Sequence, residues 1–389
     1  MLWINFLHLY QPANSDAYKI KEAVDLSYQR VVSALEKNPN TKFTLNISGC
    51  LVLRLSELKY SNLINRINKL IEKKQIELTG SAAYHPLLPL IKEEEVVCQI
   101  KENEKIMKEY FPKAVLRGFF LPEMAYGLKV AKIIKKLGYE WLVLDEISLG
   151  SKNILNFRDI YKDKGSGLKI IFRSREFSNC YVPDKLSIFI KKSKKEQNGK
   201  VIISATDGEL YGLRHNDPSK KFENILTNSK IETILVSEYI KRKRTKEVKI
   251  RNSNWESTEK YLKNNEPYHL WYDRNNKVHL KLWEFVSLVD EIIVKYKNDD
   301  NHKWARWHFV RGLASCTFWW ASGKDFEHNF GPTAWNPDEI ERGANEFIRA
   351  VRSLEYSSKK SEKIKAELLF ISIKKIIWTK HWSYHQSIK

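Results

Sequence analysis

Two carboxylates in this chain lie where a strand-like run gives way to a loop. Val115-Leu116-Arg117-Gly118-Phe119-Phe120-Leu121-Pro122 is apolar, stops at its proline and delivers Glu123 just beyond its end. Val201-Ile202-Ile203-Ser204-Ala205-Thr206 reads as a buried strand and releases Asp207-Gly208-Glu209. Acids at two strand ends are placed for acid/base or nucleophilic chemistry. A single acid after a strand is better read as a cap on the helix that follows. Two such acids, each with aromatic residues close by, favour an active site.

The elements that must hold these acids follow from period. Trp3 to Leu7 is apolar, and Ile20, Val24, Tyr28, Val31 and Leu35 then recur at helical spacing. Phe43 to Ile47 is strand-like, and Leu63, Ile64, Ile67, Leu70 and Ile71 share one helix face. The alternation continues through strands expected at Ile76 to Thr79, Val115 to Phe120, Trp141 to Leu144, Lys169 to Phe172 and Val201 to Ala205. Such a series predicts a parallel α/β sheet with helices outside it. About seven strands in roughly 250 residues favour closure into a barrel, because no Gly-x-Gly-x-x-Gly loop follows the first strand. Beyond about residue 250 the periodicity predicts helices over Leu280 to Lys295, Trp304 to Trp320, Pro337 to Leu354 and Ser361 to Trp378, with Pro and Gly clustered around Gly323 to Pro337.

Composition bounds the class. A chain of 389 residues with 42% hydrophobic and 12% aromatic residues, twelve of them Trp, can bury a large core and still line a cleft with rings. Cys50, Cys98, Cys180 and Cys316 are scattered without a Cys-x-x-Cys pair, which argues against a zinc knuckle and for a reducing, cytoplasmic setting. Met1 to His8 has no basic leader and resembles a first strand more than a signal peptide, and no apolar stretch approaches twenty residues. The net charge of +20 raises the question of nucleic acid. The runs Lys191-Lys192-Ser193-Lys194-Lys195 and Lys241-Arg242-Lys243-Arg244 lack interleaved aromatics, so a solvated basic surface is expected, with neither a nucleic-acid nor a membrane partner.

Four segments stand at or just after expected strands: His8-Leu9-Tyr10-Gln11-Pro12, Gly80 to Leu90 with Tyr84-His85-Pro86, Phe120-Leu121-Pro122-Glu123, and Asp207-Gly208-Glu209-Leu210-Tyr211-Gly212. In this order they resemble the signature of glycoside hydrolase family 57. Leu313 to Ser322, with Thr317-Phe318-Trp319-Trp320, is similar to that family's last region, and Trp255-Glu256 through Trp271 shares its character. The resemblance implies an incomplete seven-stranded (β/α) barrel over residues 1–255, with a helical domain over 256–389 that completes the active-site cleft. It implies a cofactor-free, metal-independent, retaining α-amylase or 4-α-glucanotransferase acting on α-glucan. Glu123 would be the nucleophile and Asp207 the general acid/base, about 5 to 5.5 Å apart. His8, Gln11 and His85 match sugar-binding positions, and Trp319 and Trp320 offer stacking rings. Phe120 occupies a position where the family commonly has tryptophan, keeping a ring without the indole donor. Glu209 can bond a hydroxyl or start a helix, and Tyr211 can bind or pack. Cys316 lies close to where an acid is expected, a departure that bears on substrate preference rather than on catalysis. Hydrolysis or glycosyl transfer, the linkage (α-1,4, α-1,6 or α-galactoside) and the oligomeric state stay open.

A barrel polysaccharide deacetylase would need acids and a His-x-x-x-His pair around a metal; the pair here, His381 and His385, falls in a tail helix. A zinc α-mannosidase would want His-x-Asp near the first strand, where this chain has His8-Leu9-Tyr10. A sugar-binding protein without activity would be signalled by loss of one acid. Both are present.

Overall fold

Short β-branched and aromatic runs covered on both faces become parallel strands, and each of the seven expected runs contributes one. The computed structural model describes residues 1–150, 155–191, 199–241, 245–323, 333–355 and 360–386. Its strands are β1 (Leu2–Leu9), β2 (Phe43–Ile47), β3 (Ile76–Leu78), β4 (Gly118–Phe119), β5 (Trp141–Asp145), β6 (Ile160–Asp163), β7 (Lys169–Arg173), β8 (Val201–Asp207), β9 (Glu232–Thr233) and β10 (Thr245–Val248). One sheet runs β3-β2-β1-β8, with β9 also on β1, and the other runs β10-β6-β7-β5-β4. Two seams join them. Gly80 N donates to Gly118 O and Phe120 N to Gly80 O, each at 2.9 Å, and Ser174 N beyond β7 donates to Ile203 O of β8 at 2.8 Å. The ring β1-β2-β3-β4-β5-β7-β8 is therefore the expected incomplete (β/α)7 barrel. Gly118 suits its seam because a Cβ there would lie 2.1 Å from the Trp141 ring.

Three features depart from the expectation. β4 covers Gly118–Phe119 alone, since Val115 and its neighbours precede the seam and Val115 is exposed. β6, antiparallel to β7, with β10 beside it, adds an outer flap absent from the expected series. The helix expected over Trp304 to Trp320 is two, His302–Gly312 and Ser315–Trp319. Between them Ala314 bridges Pro86 and Ser315 N donates to His85 O at 2.9 Å, so the backbone leaves the helical path to pair across.

Alternation sorts each barrel strand into two layers. Ile4 and Phe6 of β1, Trp141 and Val143 of β5, Ile171 of β7, and Val201, Ile203 and Ala205 of β8 share one core cluster. Leu142 and Leu144 of β5 and Ile170 and Phe172 of β7 pack with Val130 and Ile134 in the other. Extending the first layer by one step along each strand reaches His8, Asp145, Arg173 and Asp207, all at the C-terminal ends.

The chain divides into two units: Met1–Ala83 with Leu88–Trp255, and Tyr84–Leu87 with Glu256–Lys389. The second unit contains the helices Lys277–Lys295, Pro337–Ser353 and Lys360–Gln386 beside the two already named. Segments 192–195 and 242–244 of the basic runs, and 324–332 of the Pro/Gly stretch, lie outside the described residues, as does the side chain of His385. Among the described residues no helix is long and apolar enough to cross a membrane. Among them also, no group of three or more His, Cys, Asp or Glu could hold a metal ion.

Candidate active site

His8 lies in register between Asn46 of β2 and Asp207 of β8, so these three residues form one row across the rim of the barrel. His8 Nδ1 is 2.8 Å from Asn46 Oδ1, and Asn46 Nδ2 donates to Thr79 Oγ1 at 3.3 Å, which fixes the amide orientation. Nδ1 is then the protonated nitrogen and Nε2 an acceptor. Burial lowers the His8 imidazole from its ordinary 6.5 to about 4, against the opposing Asp207 charge and Asn46 bond, so it is neutral at neutral pH.

Asp207 ends β8 and is partly exposed, with Oδ2 accepting from Arg214 Nη1 at 2.8 Å. Arg214 returns to Asp207 because the chain turns tightly between them. Leu213 N and Arg214 N both donate to Glu209 O, at 3.1 and 2.8 Å. Gly212, at φ 140°, brings the turn against Leu26 O, where a Cβ would meet that oxygen at 1.9 Å.

Glu209 points inward and is buried. Tyr28 Oη and Gln11 Nε2 both donate to its Oε1, the latter at 3.2 Å. Burial, the largest effect, raises the Glu209 carboxyl; Arg214 opposes it and Asp207 reinforces it. Tyr28 reaches this spot from a π turn, Val24–Tyr28, inside the helical stretch 17–37, and its neighbour Ser27 donates from Oγ to Gly208 O at 2.5 Å. Single π turns inside α-helices are rare and are found frequently at functional sites.

Glu123 occupies a turn of Pro122–Met124 with φ 58° and ψ 17°, and Met124 follows at φ 48°. Two successive non-glycine residues in the left-handed region are strained, and such strain persists where the surroundings enforce it. Trp255 N donates to Glu123 O at 3.2 Å, and Tyr126 and Ser253 exchange backbone bonds at 2.8 and 3.3 Å. The turn is thereby held from the segment 253–255.

The segments that carry the acids meet at a shared aromatic group. Phe120, three residues before Glu123 and fully buried, stacks on His8 at 4.4 Å and on Phe6 at 5.4 Å, while Trp255 approaches Phe120 at 6.1 Å and His8 at 6.3 Å. His8, Gln11, Phe120, Glu123, Asp207 and Glu209 are thus brought together at the C-terminal rim of the barrel. Tyr211 is not among them: it is buried edge-on against Tyr181 at 5.7 Å and Phe222 at 4.7 Å. In the helical unit, His85 Nδ1 is 3.0 Å from Ser315 Oγ, and the Trp319 and Trp320 rings are 4.7 Å apart and partly exposed. Asn46, Tyr28 and Arg214 escaped the reading of sequence, since each is an ordinary helix, strand or loop residue until the fold aims it.

A sequence profile for Glycosyl hydrolase family 57 matches residues 5–252. An α-amylase of Pyrococcus horikoshii is 29% identical over 262 residues, which is 62% of this chain and 41% of that protein. A 4-α-glucanotransferase of Thermococcus kodakarensis is 23% identical over 261 residues, 62% of this chain and 40% of that one. This chain therefore spans about two-fifths of the length of these curated relatives. Among solved structures, a 4-α-glucanotransferase from Thermococcus litoralis superimposes with a TM-score of 0.71 at 18% identity, covering 92% of this chain and 61% of that one. A branching enzyme of the same family from Pyrococcus horikoshii gives 0.71 at 15% identity, covering 97% and 96%. At these identities the structural likeness speaks to the fold.

Proposed function

The chain belongs to glycosyl hydrolase family 57, and from that premise we propose that it is a retaining glycosidase or transglycosylase acting on α-glucan. The observation that carries this reading is the pair of acids at one rim: Asp207 in register with His8, and Glu123 on a strained turn three residues after Phe120, whose ring stacks on His8. In the first step Glu123 attacks the anomeric carbon, the glycosidic bond breaks and protonated Asp207 gives its proton to the leaving oxygen. In the second, ionised Asp207 takes a proton from water or a sugar hydroxyl, whose oxygen replaces Glu123 on the anomeric carbon. His8, as a neutral imidazole, can accept a sugar hydroxyl without adding charge next to Asp207. We assign sugar contacts also to Gln11, His85, Phe120, Glu209, Trp319 and Trp320, and a packing role to Tyr211. The four scattered cysteines support a reducing, cytoplasmic setting.

Incubation with maltoheptaose tests substrate and reaction together. Shorter maltooligosaccharides alone mean hydrolysis, and longer ones mean transfer; an unchanged substrate rules out the α-1,4-glucan reading. Glu123→Gln is expected to lose turnover while keeping its melting temperature, and azide is expected to restore it by supplying the missing anion.

A further inference from the structure

Asp145 ends β5 wholly buried, and its carboxylate is shared by two guanidinium groups. Arg173 Nε donates to Oδ2 at 2.7 Å and Arg175 Nε to Oδ1 at 2.6 Å, with Ile147 N adding a bond to Oδ1 at 3.0 Å. Both guanidiniums then converge on one acceptor, the carbonyl oxygen of Trp255, from Arg175 Nη2 at 3.0 Å and Arg173 Nη2 at 3.4 Å. Arg173 also lies over the Trp255 ring at 5.4 Å and donates from Nη1 to Ala205 O at 3.0 Å. The amide of the same Trp255 donates to Glu123 O.

We propose that Asp145, Arg173 and Arg175 form a positioning clamp for the Glu123 carboxylate, acting through the backbone of Trp255. The proposal rests on the reading of Glu123 as the nucleophile. A carboxylate shared by two guanidiniums leaves one positive charge in excess, and burying it is costly unless its donors are all used. Here the remaining guanidinium donors go to the Trp255, Ala205 and Asn179 oxygens, and the Glu146 carboxylate, which accepts from the backbone N of Arg175 at 3.1 Å, interacts with both arginines and offsets the charge. A cluster needed for barrel stability alone could lie anywhere along β5 and β7. This one occupies the rim that carries both acids and ends on the peptide that holds the left-handed Glu123 turn. Each planar guanidinium gives one N–H to the Asp145 carboxylate and one to the Trp255 carbonyl, and its rigid fork of donors fixes the two acceptors relative to each other, which lysine cannot do. Asp145 holds the arginines, the arginines hold Trp255, and Trp255 holds Glu123 in a conformation it would otherwise leave.

The test is the rate of covalent labelling by a 5-fluoro-α-D-glucosyl fluoride. Glu123 attacks its anomeric carbon, the carbon–fluorine bond breaks and fluoride leaves without needing a proton, so the rate reads nucleophile placement independently of Asp207. The ring fluorine slows the second step, and the adduct is read by intact mass and located by peptide mapping. In Asp145→Asn and Arg175→Lys the limiting rate at saturating reagent is expected to fall about 100-fold, the scale of an ångström-sized misplacement, with the half-saturating concentration within about threefold of the unaltered protein. If Asp145→Asn does not fold, Arg175→Lys decides, because its side chain is 27% exposed and its loss leaves Arg173 on Asp145. Labelling of Glu123 at the unaltered limiting rate, or a change in half-saturation alone, overturns the clamp. Failure of the unaltered protein to label at Glu123 overturns the nucleophile assignment instead.

Discussion

At the scale of single residues, position along a strand decides chemistry. Asp207 and His8 are the inward members of two paired strands, which places an acid beside an imidazole kept neutral by burial. If Asp207 is the acid/base, Asp207→Asn should cripple glucosides with poor leaving groups far more than activated aryl glucosides, whose departure needs no proton. A helix-cap role predicts instead about 1 kcal/mol of lost stability and equal effects on both substrates. The ratio of the two rate losses separates these outcomes. The buried imidazoles also make stability depend on pH. His8 and His279 are both lowered to about 4 by burial, from 6.5, so between those values the unfolded chain binds more protons than the folded one. Their contribution is full above pH 6.5 and is lost as pH falls towards 4, at about 3 kcal/mol for each group. His279, which receives Asp273 N and bonds the Phe318 carbonyl, serves as the probe. Urea titrations of His279→Gln from pH 7 to 4.5 should show a shallower decline than the unaltered protein, and equal slopes would contradict the assignment.

At the scale of elements, the segments around the site hold it by backbone geometry as much as by side chains. The turn from Gly208 to Arg214 can lie against the π turn only because Gly212 has no Cβ to strike Leu26 O. Gly212→Ala is therefore expected to destabilise the protein by about 3 kcal/mol, seen as a lower urea midpoint at unchanged slope. It should also weaken activity, since Glu209 and Arg214 both hang from that turn. An unchanged midpoint would mean that the turn does not need its close approach. The strand elements were readable from apolar runs because each is covered on both faces. β9 and β10 were not, since Glu232–Thr233 and Thr245–Val248 are polar and take strand form by pairing with a neighbour, and β6, four residues long, is set by its pairing with β7 and β10. The break at Leu313–Ala314 was equally hidden: local propensity there favours helix, and a distant partner, Pro86, overrides it.

At the scale of the whole molecule, the division into units is not a single cut. Tyr84–Leu87 lies within the barrel sequence yet belongs to the helical unit, where Pro86 bridges Ala314 and His85 accepts from Ser315. A fragment ending at residue 255 leaves that segment without these partners. Limited proteolysis of such a fragment should cut first near residues 84–87, at protease levels the full chain resists, because local opening controls cleavage. Resistance equal to that of the full chain would show that the segment is held by the barrel alone. The formal charge of +20 belongs to this scale as well. It governs solubility and association rather than fold.

Period and residue type alone determined the seven barrel strands, the helical C-terminal region and the two acids at strand ends, because covered strands and amphipathic helices impose local patterns that survive without tertiary information. The motif residues His8, Gln11 and Glu209 could be named from the chain. That Gln11 and Tyr28 both donate to Glu209, that Arg214 turns back onto Asp207, and that Asp145 reaches the Glu123 turn through two arginines and Trp255 could not. Gln11 and Glu209 lie 198 positions apart, and Arg175 and Trp255 lie 80 apart. Contacts at such separations arise from barrel closure, which brings strand ends together regardless of the spacing between them, and no local pattern encodes which polar groups will then meet.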